Sequence, residues 1–280
     1  MKKGLRWVLA MVLVAVSPAA CRPQVHPTKE VYVDWESWTV TTPDQIALGD
    51  RFEPFRAVWS RQYRNGSGEL RQDRVVLVAE ELSWYGRPVV SFTLHDAGAL
   101  DAPDTNARTT SFYLDRETLA LVRGIGPVSG TPEDYNVIAV ADGRITTTRV
   151  DSDTGETSST DFATDSPVFG SFNVDHILWA ALGLRPDTRT RLDVWSPAAN
   201  AAAPSIIRVI GQEEVELPGG ERRQAWVVER PIAQPDNARM HHFRILDRPP
   251  YLASRHVVDL DSQETSFHFS LLEWELLGQR

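Results

Sequence analysis

The chain has 280 residues and carries 38 acidic against 29 basic side chains, a formal net charge of −9. This acidic balance argues against a nucleic-acid partner, because proteins bind phosphate backbones chiefly through lysine and arginine. Hydrophobic residues make up 42% of the chain, so it can bury a sizeable core, and nine tryptophans are a large number for its length.

The amino-terminal segment has the pattern of a bacterial export signal. Positive charges within residues 1–6 precede the apolar run at 7–16, which is too short to cross a bilayer core of about 30 Å as a helix. Small and turn-forming residues then lead to Cys21. This arrangement is similar to the bacterial lipoprotein signal, in which the cysteine becomes the acylated first residue. The sequence therefore predicts a signal peptide at 1–20 and a lipid anchor at Cys21.

Cysteine usage supports the lipoprotein interpretation. Cys21 is the only cysteine, so an intramolecular disulfide is excluded, and a lone free thiol is a liability in an oxidising compartment. Arg22 stands in place of the Asp that retains lipoproteins in the inner membrane of many bacteria, which favours an outer-membrane protein facing the periplasm. Pro18 stands where such signals usually carry Leu. Ordinary cleavage near Ala20, giving a soluble periplasmic or secreted protein, is the alternative.

Removal of the signal makes the protein more acidic. It takes three of the 29 basic residues and leaves 26 against 38 acidic ones, a net charge of −12. Anionic lipids would not attract such a surface, so the membrane is expected to be reached through the anchor alone.

The remaining chain divides into a tether at 21–50, with one edge strand, and a β-rich domain at 51–280. Short alternating runs separated by turn residues predict antiparallel strands throughout the domain. The runs 135–141 and 144–150 flank Asp142-Gly143, where glycine supplies the positive φ of a tight hairpin. The expected fold is mainly β, a strongly curved, half-barrel-like antiparallel sheet.

One amphipathic helix is expected to pack on this sheet. Apolar residues repeat at helical spacing from Val174 to Leu182, Asn173 can cap the first turn, and Pro186 ends the segment, which predicts a helix at 174–184.

The segments on either side of this helix resemble each other. Val58-Trp59-Ser60 returns as Val194-Trp195-Ser196, and Leu114-Asp115-Arg116 returns as Leu246-Asp247-Arg248. These matches suggest duplicated β-units at 51–165 and 188–277, connected by the helix. The alternative is a chance similarity between hairpins.

Together these features resemble a family of uncharacterised periplasmic β-proteins. The resemblance rests on the meander, the mid-chain helix and three short motifs, at 211–215, 218–220 (Pro-Gly-Gly) and 250–252 (Pro-Tyr-Leu). That family in turn resembles the lipoprotein-localisation carriers LolA and LolB, in which a curved antiparallel sheet wraps helices and leaves an apolar concavity for acyl chains. The resemblance implies such a concavity and carries over no catalytic residue.

Aromatic side chains are the candidates for a hydrophobic binding site. Ligand pockets are mostly apolar with few polar groups, and tryptophan offers large area with a polar handle. The candidate lining residues are Trp59, Phe92, Phe112, Trp179, Trp195, Trp226 and Phe243. A plain aromatic core between helix and sheet is the favoured explanation of the same residues.

A metal site is the one chemical arrangement with geometric support, although exposed histidines on neighbouring strands are the simpler explanation of the same residues. Hairpin turns near 248–249 and 262–263 would place His241 opposite His256, and His256 opposite His268 or its neighbour. Directly opposed residues hold their Cβ atoms about 5 Å apart, and three imidazoles suit zinc or copper. A register slip of one residue would instead send one of them to the other face.

Other chemistry has no motif in the sequence. The chain has no Gly-x-Ser-x-Gly element and no glycine-rich phosphate loop, and its single cysteine belongs to the signal, so no cofactor is expected. The leading hypothesis is an outer-membrane-associated, non-enzymatic binding or envelope-maintenance module for an acyl chain or another hydrophobic ligand. A structural lipoprotein docking on another envelope protein is the alternative, and an enzyme with an unrecognised site is the third.

Overall fold

A computed structural model describes the greater part of the chain beyond the predicted tether. The described residues are 38–41, 45–46, 52–64, 67–99, 108–128, 131–164, 167–171, 174–196, 201–232, 239–260, 262 and 264–278. The predicted signal peptide and Cys21 lie outside them.

The fold is a single large sheet with one α-helix among the described residues. The elements in chain order are β1 (Thr39–Val40), β2 (Phe55–Arg64), β3 (Leu70–Trp84), β4 (Arg87–Ala99), β5 (Arg108–Asp115), β6 (Leu121–Val128), β7 (Thr131–Ala141), β8 (Arg144–Val150), β9 (Thr157–Ala163), β10 (Phe169–Ser171), α1 (Asp175–Ala181), β11 (Arg189–Ser196), β12 (Ala201–Glu216), β13 (Arg222–Ile232), β14 (Arg239–Ile245), β15 (Leu252–Asp259) and β16 (Thr265–Leu276).

Two antiparallel meanders, β2 to β9 and β11 to β16, join edge to edge through pairing of β16 with β2. The result is a curved sheet that does not close on itself. At one edge, β1 and β10 both pair in parallel with β11. At the other edge lies β9, which pairs with β8. The expected mainly β, half-barrel-like architecture is confirmed.

Tight hairpin turns connect neighbouring antiparallel strands of the sheet. The β7–β8 turn places Asp142 at φ 51° and Gly143 at φ 69°, and the β3–β4 turn places Tyr85 at φ 48° and Gly86 at φ 80°. Two consecutive positive φ angles are typical of the type I′ turn, whose twist matches that of the flanking strands. The strand ends at the β7–β8 turn, Ala141 and Arg144, agree with the sequence prediction.

The helix α1 lies inside the curve of the sheet. All seven of its residues are buried, and the five apolar ones belong to one hydrophobic core with side chains from both meanders. The helix is shorter than predicted: its N-cap is Val174, which makes no side-chain capping bond, and Asn173 lies outside the described residues. The polar residues of α1, Asp175 and His176, are buried as well. An amphipathic helix lying on the surface of a sheet would instead expose its polar residues to water.

The two meanders differ in length among the described strands, eight against six, but some residues matched in sequence take comparable places in them. Trp59 and Trp195 each lie on the first strand of a meander and are 1% exposed. Leu119 and Tyr251 follow the fourth strands and both adopt positive φ, 55° and 62°, with no exposed surface. Both are fully buried, non-glycine residues in this sparsely populated region. The division into duplicated units at 51–165 and 188–277 stays a prediction.

Part of the predicted tether belongs to the packed domain. Trp38 lies in a small cluster with Ile206 and Met240, and Ile46 is 2% exposed within the main core. The edge strand expected in this segment is β1. None of the helices within the described ranges is long and apolar enough to cross a membrane.

Candidate functional site

The inner face of the sheet, the one that packs on α1, carries charged residues near one end of the strands. The register places Val228, Phe243, Arg255, Phe269 and Arg61 in one row across five strands. The neighbouring inner row holds Arg230, His241, Val257, Phe267 and Tyr63. Strand alternation therefore brings three arginines to the side of the sheet that a core normally fills with apolar side chains.

Three of these residues, Arg230, His241 and Arg255, form a polar cluster with Asp175 and His176 of α1. Four of the five are buried and Arg255 is partly buried, and the group is called the buried polar cluster below. Asp175, on the first turn of α1, forms an ion pair with Nη1 of Arg230, and the two side chains are 1% and 4% exposed. The hydroxyl of Ser205 donates to the same carboxylate oxygen at 3.4 Å. Burial raises the pKa of Asp175 to about 6, although Arg230 and Arg255 oppose that shift.

His241 joins the two arginines of the cluster. Its Nδ1 accepts hydrogen bonds from Nη2 of Arg255 at 2.8 Å and Nη2 of Arg230 at 3.2 Å. Because guanidinium groups only donate, this nitrogen must be unprotonated and the imidazole neutral. Burial, together with Arg255 and Arg230, lowers the pKa of His241 well below its ordinary value, in agreement with this geometry.

Arg255 is the least neutralised charge of the cluster. Among the residues that the structure describes it forms no ion pair, and its Nε is buried without a hydrogen-bond partner. Burial and the nearby positive charge of Arg230 lower its pKa to about 9. The guanidinium lies between two rings, 5.1 Å from the centroid of Phe243 and 5.0 Å from that of Phe267.

His176 is the second polar group of the cluster with unused hydrogen-bonding capacity. It is 6% exposed, and its Nε2 has no partner among the described residues. Its ring packs edge-on against Trp59, with centroids 6.4 Å apart. Burial, with Arg255 and Arg230 nearby, lowers the pKa of His176 to about 3, so the ring is neutral at physiological pH.

Arg61, by contrast, is well neutralised. It binds Asp73 through two parallel bonds, Nε to Oδ1 at 2.7 Å and Nη2 to Oδ2 at 2.5 Å, and Asp96 at 2.7 Å. Burial raises the pKa of Asp96 despite the proximity of Arg61. This charge group borders the buried polar cluster across Phe269.

A partly exposed aromatic rim lies beside the cluster. It consists of Tyr63, Phe267 and Phe269, none of which is fully buried. Phe267 stacks on Phe269 with centroids 6.1 Å apart, and Phe269 stacks on the fully buried Trp59 at 5.4 Å. The rim thus presents a flat apolar surface directly next to Arg255, the least neutralised charge of the buried polar cluster.

The predicted aromatic residues are gathered in the core that surrounds α1. Six of them have almost no exposed surface and Trp226 is partly buried against the same core. Trp179 and Phe243 meet edge to face at 4.7 Å, directly below the arginines. The six are Trp59, Phe92, Phe112, Trp179, Trp195 and Phe243. Their predicted contact with a ligand stays a prediction.

The predicted trio of metal-binding histidines does not share a face. His256 pairs with His268 as expected, but its partner on β14 is His242, whereas His241 lies opposite Val257 on the inner face. The cause is a bulge on β15 between Leu252 and Ser254, which adds one residue and shifts the register set by the turn. Within the described ranges, no group of three His, Cys, Asp or Glu side chains could hold a metal ion.

On the outer face, His242 and His256 stack at 4.7 Å, and Ser270 Oγ lies 2.6 Å from Nε2 of His268. In the described part of the chain no carboxylate is bound to His268, so this exposed pair lacks the orienting group of a nucleophilic site. Nothing in this arrangement identifies a reaction.

Sequence reasoning missed Asp175, His176, Arg230 and Arg255. The available signal was the alternation of side chains along a strand. On β13 and β15 each arginine is two residues away from a valine that is buried on the inner face, Val228 or Val257, so it points to the same face. An acidic residue inside an otherwise apolar helix gave a second signal.

The fold and the site define a mainly β protein whose open, curved sheet encloses one helix above a buried polar cluster. The model of the family described as "Protein of unknown function (DUF3108)" matches residues 73–247, more than half of the chain. The chain therefore belongs to the DUF3108 family. No curated protein matches it in sequence.

Two solved structures show distant similarity. The first is a protein from Bacteroides fragilis assigned as exported, with a YmcC-like fold: 8% identity, TM-score 0.36, covering 80% of this chain and 97% of that one. The second is a Vibrio parahaemolyticus domain assigned to outer-membrane lipoprotein sorting: 6% identity, TM-score 0.24, covering 81% and 87%. Both TM-scores are below 0.5, so no argument rests on either, and the likeness to LolA and LolB is not confirmed.

Proposed function

We propose that this protein is a lipid-anchored, extracytoplasmic binding protein that holds the hydrocarbon part of an amphipathic ligand on the inner face of its sheet. The export signal and Cys21 support an anchored protein at the outer membrane. The aromatic rim supports the binding role, and it is the single observation that carries the proposal.

The rim is suited to hydrocarbon because its rings are stacked and partly exposed. Phe267 and Phe269 stand on alternate residues of β16, so they lie along one line, and Trp59 extends that line into the core. Stacked rings that rest on a packed core lose little conformational freedom when a ligand covers them. Burying the exposed part of each ring would stabilise the complex by about 25 cal/mol per Å².

Native mass spectrometry of the protein extracted from membranes in mild detergent tests this proposal. The expected spectrum contains a non-covalent adduct of one amphipathic molecule, beyond the mass of the polypeptide and its anchor. Phe269→Glu should abolish the adduct. Leu272→Glu should preserve it, because Leu272 is an exposed residue of the same strand. A spectrum with no adduct for the native protein would contradict the proposal.

Docking on another envelope protein is the second candidate. It is favoured by β9, whose pairing among the described residues is with β8 alone and whose side chains are nearly all exposed. Such an edge can accept a strand from a partner. Photo-crosslinking from Ser159 in intact cells should then give one discrete product, and its absence would count against this candidate.

A further inference from the structure

The buried polar cluster contains more positive than negative charge. Asp175 neutralises Arg230, both histidines are neutral, and Arg255 forms no ion pair among the described residues. Its Nε is also buried without a hydrogen-bond partner. Arg255 is partly buried, and a cation removed from much of its water without an opposite charge is costly, so this arrangement is suited to an anion that the described polypeptide does not supply.

The guanidinium of Arg255 is already held in place for such an anion. Nδ1 of His241 fixes one Nη2 at 2.8 Å, and the rings of Phe243 and Phe267 flank the group. Because Phe267 also belongs to the aromatic rim, any anion at Arg255 would have an apolar surface beside it. A site with a fixed charge loses less entropy when it binds.

We propose that Arg255 binds the carboxylate of a single-chain fatty acid whose hydrocarbon chain lies on the aromatic rim. This inference rests on the proposed function, since it names the head group of the same ligand. Guanidinium and carboxylate match through two parallel N–H···O bonds. Arg255 would donate through Nε, and His241 would act as a positioning residue by fixing the other side of the guanidinium.

The charge count favours a carboxylate over a phosphate monoester. The cluster carries one excess positive charge, which a carboxylate neutralises, whereas a phosphate monoester carries about 1.5 to 2 negative charges. The next cation across Phe269 is Arg61, and Asp73 and Asp96 already neutralise it. A second negative charge on the ligand would therefore meet those carboxylates.

Native mass spectrometry of the anchored protein tests the head group. The probes are palmitic acid, hexadecan-1-ol and hexadecyl phosphate, which share a chain length and differ in charge. For the native protein, palmitate should bind at least about tenfold more tightly than the alcohol, as expected for a charge-assisted pair. Arg255→Met should remove this preference and leave binding of the alcohol unchanged. Arg56→Met, an exposed arginine on the outer face of β2, should change neither.

The outcomes separate the two proposals. Equal binding of acid and alcohol by the native protein, or a palmitate preference that survives in Arg255→Met, overturns the head-group assignment and leaves the proposed function standing. Tighter binding of hexadecyl phosphate than of palmitate also overturns it. Failure of all three probes to bind contradicts the proposed function itself. If Arg255→Met does not fold, the three probes are compared on the native protein and on Arg255→Lys. The lysine variant is expected to keep only part of the palmitate preference, and an unchanged preference would overturn the head-group assignment.

Discussion

Acidification from pH 8 to pH 5 is expected to destabilise the folded domain through His176. Its pKa in the folded state is lowered to about 3, chiefly by burial and then by Arg255 and Arg230. In the unfolded chain the ring has a pKa of about 6.5. The unfolded state therefore gains a proton in this range that the folded state does not, and the free energy of unfolding falls with pH. For a ring that stays neutral when folded, the loss at pH 5 is about 2 kcal/mol.

Two other groups of the buried polar cluster contribute in the same window. His241, whose pKa is also lowered by burial, adds to the loss in the same direction. Asp175 acts in the opposite direction: its folded pKa of about 6 lies above its unfolded value, so it gains a proton first in the folded state. That uptake offsets about 1 kcal/mol of the loss at pH 5, so the free energy of unfolding still falls on acidification.

Urea unfolding followed by tryptophan fluorescence at pH 5, 6, 7 and 8 measures this fall. His176→Gln should reduce it by about 2 kcal/mol, because the unfolded state then has one fewer group to protonate. Leu272→Gln, which places the same new side chain at an exposed, non-titrating position of β16, should leave the dependence as in the native protein. An identical pH dependence in the native protein and His176→Gln would refute the reasoning.

Four further outcomes are expected. Asp175→Asn should lower the free energy of unfolding by about 3 to 5 kcal/mol, because Arg230 is left buried without its carboxylate; a urea-measured loss under about 1 kcal/mol would contradict this. Arg255→Met should raise it by about 1 kcal/mol in the absence of ligand, since a poorly neutralised buried charge is removed; a lower melting temperature would argue against that. Trp59→Ala should cost about 3 to 5 kcal/mol in the same assay, because the indole is fully buried, and a neutral result would contradict its place in the core. Cys21→Ser should release the protein from the membrane fraction, and unchanged attachment would overturn the anchor.

Local patterns were enough to predict the meanders. The strand ends on either side of Asp142-Gly143 were predicted correctly, because a turn with two positive φ angles is specified by these two residues themselves. The helix was found from its apolar spacing alone. Its burial on every side could not be predicted, because this depends on the curvature of the whole sheet, including the pairing of β16 with β2, which are far apart in sequence.

The pairing of the histidines could not be predicted from the local sequence. Counting back from the turn before Tyr251 gives the right pairing for Ile245, but the bulge at Ala253 shifts every later pair by one residue. A shift of one exchanges the faces, so His242 replaced His241 beside His256. The polar cluster was missed for a related reason: it joins a helix residue to β13, β14 and β15, and only the assembled sheet brings them together.

Crystallographic analysis of the protein with a bromine-labelled fatty acid tests the central claim most directly, because anomalous scattering locates the hydrocarbon chain. The account predicts a bromine peak on the inner face beside Phe267 and Phe269, with the carboxylate on Arg255. A fully occupied ligand bound on the outer face, or anywhere away from this rim, would contradict it.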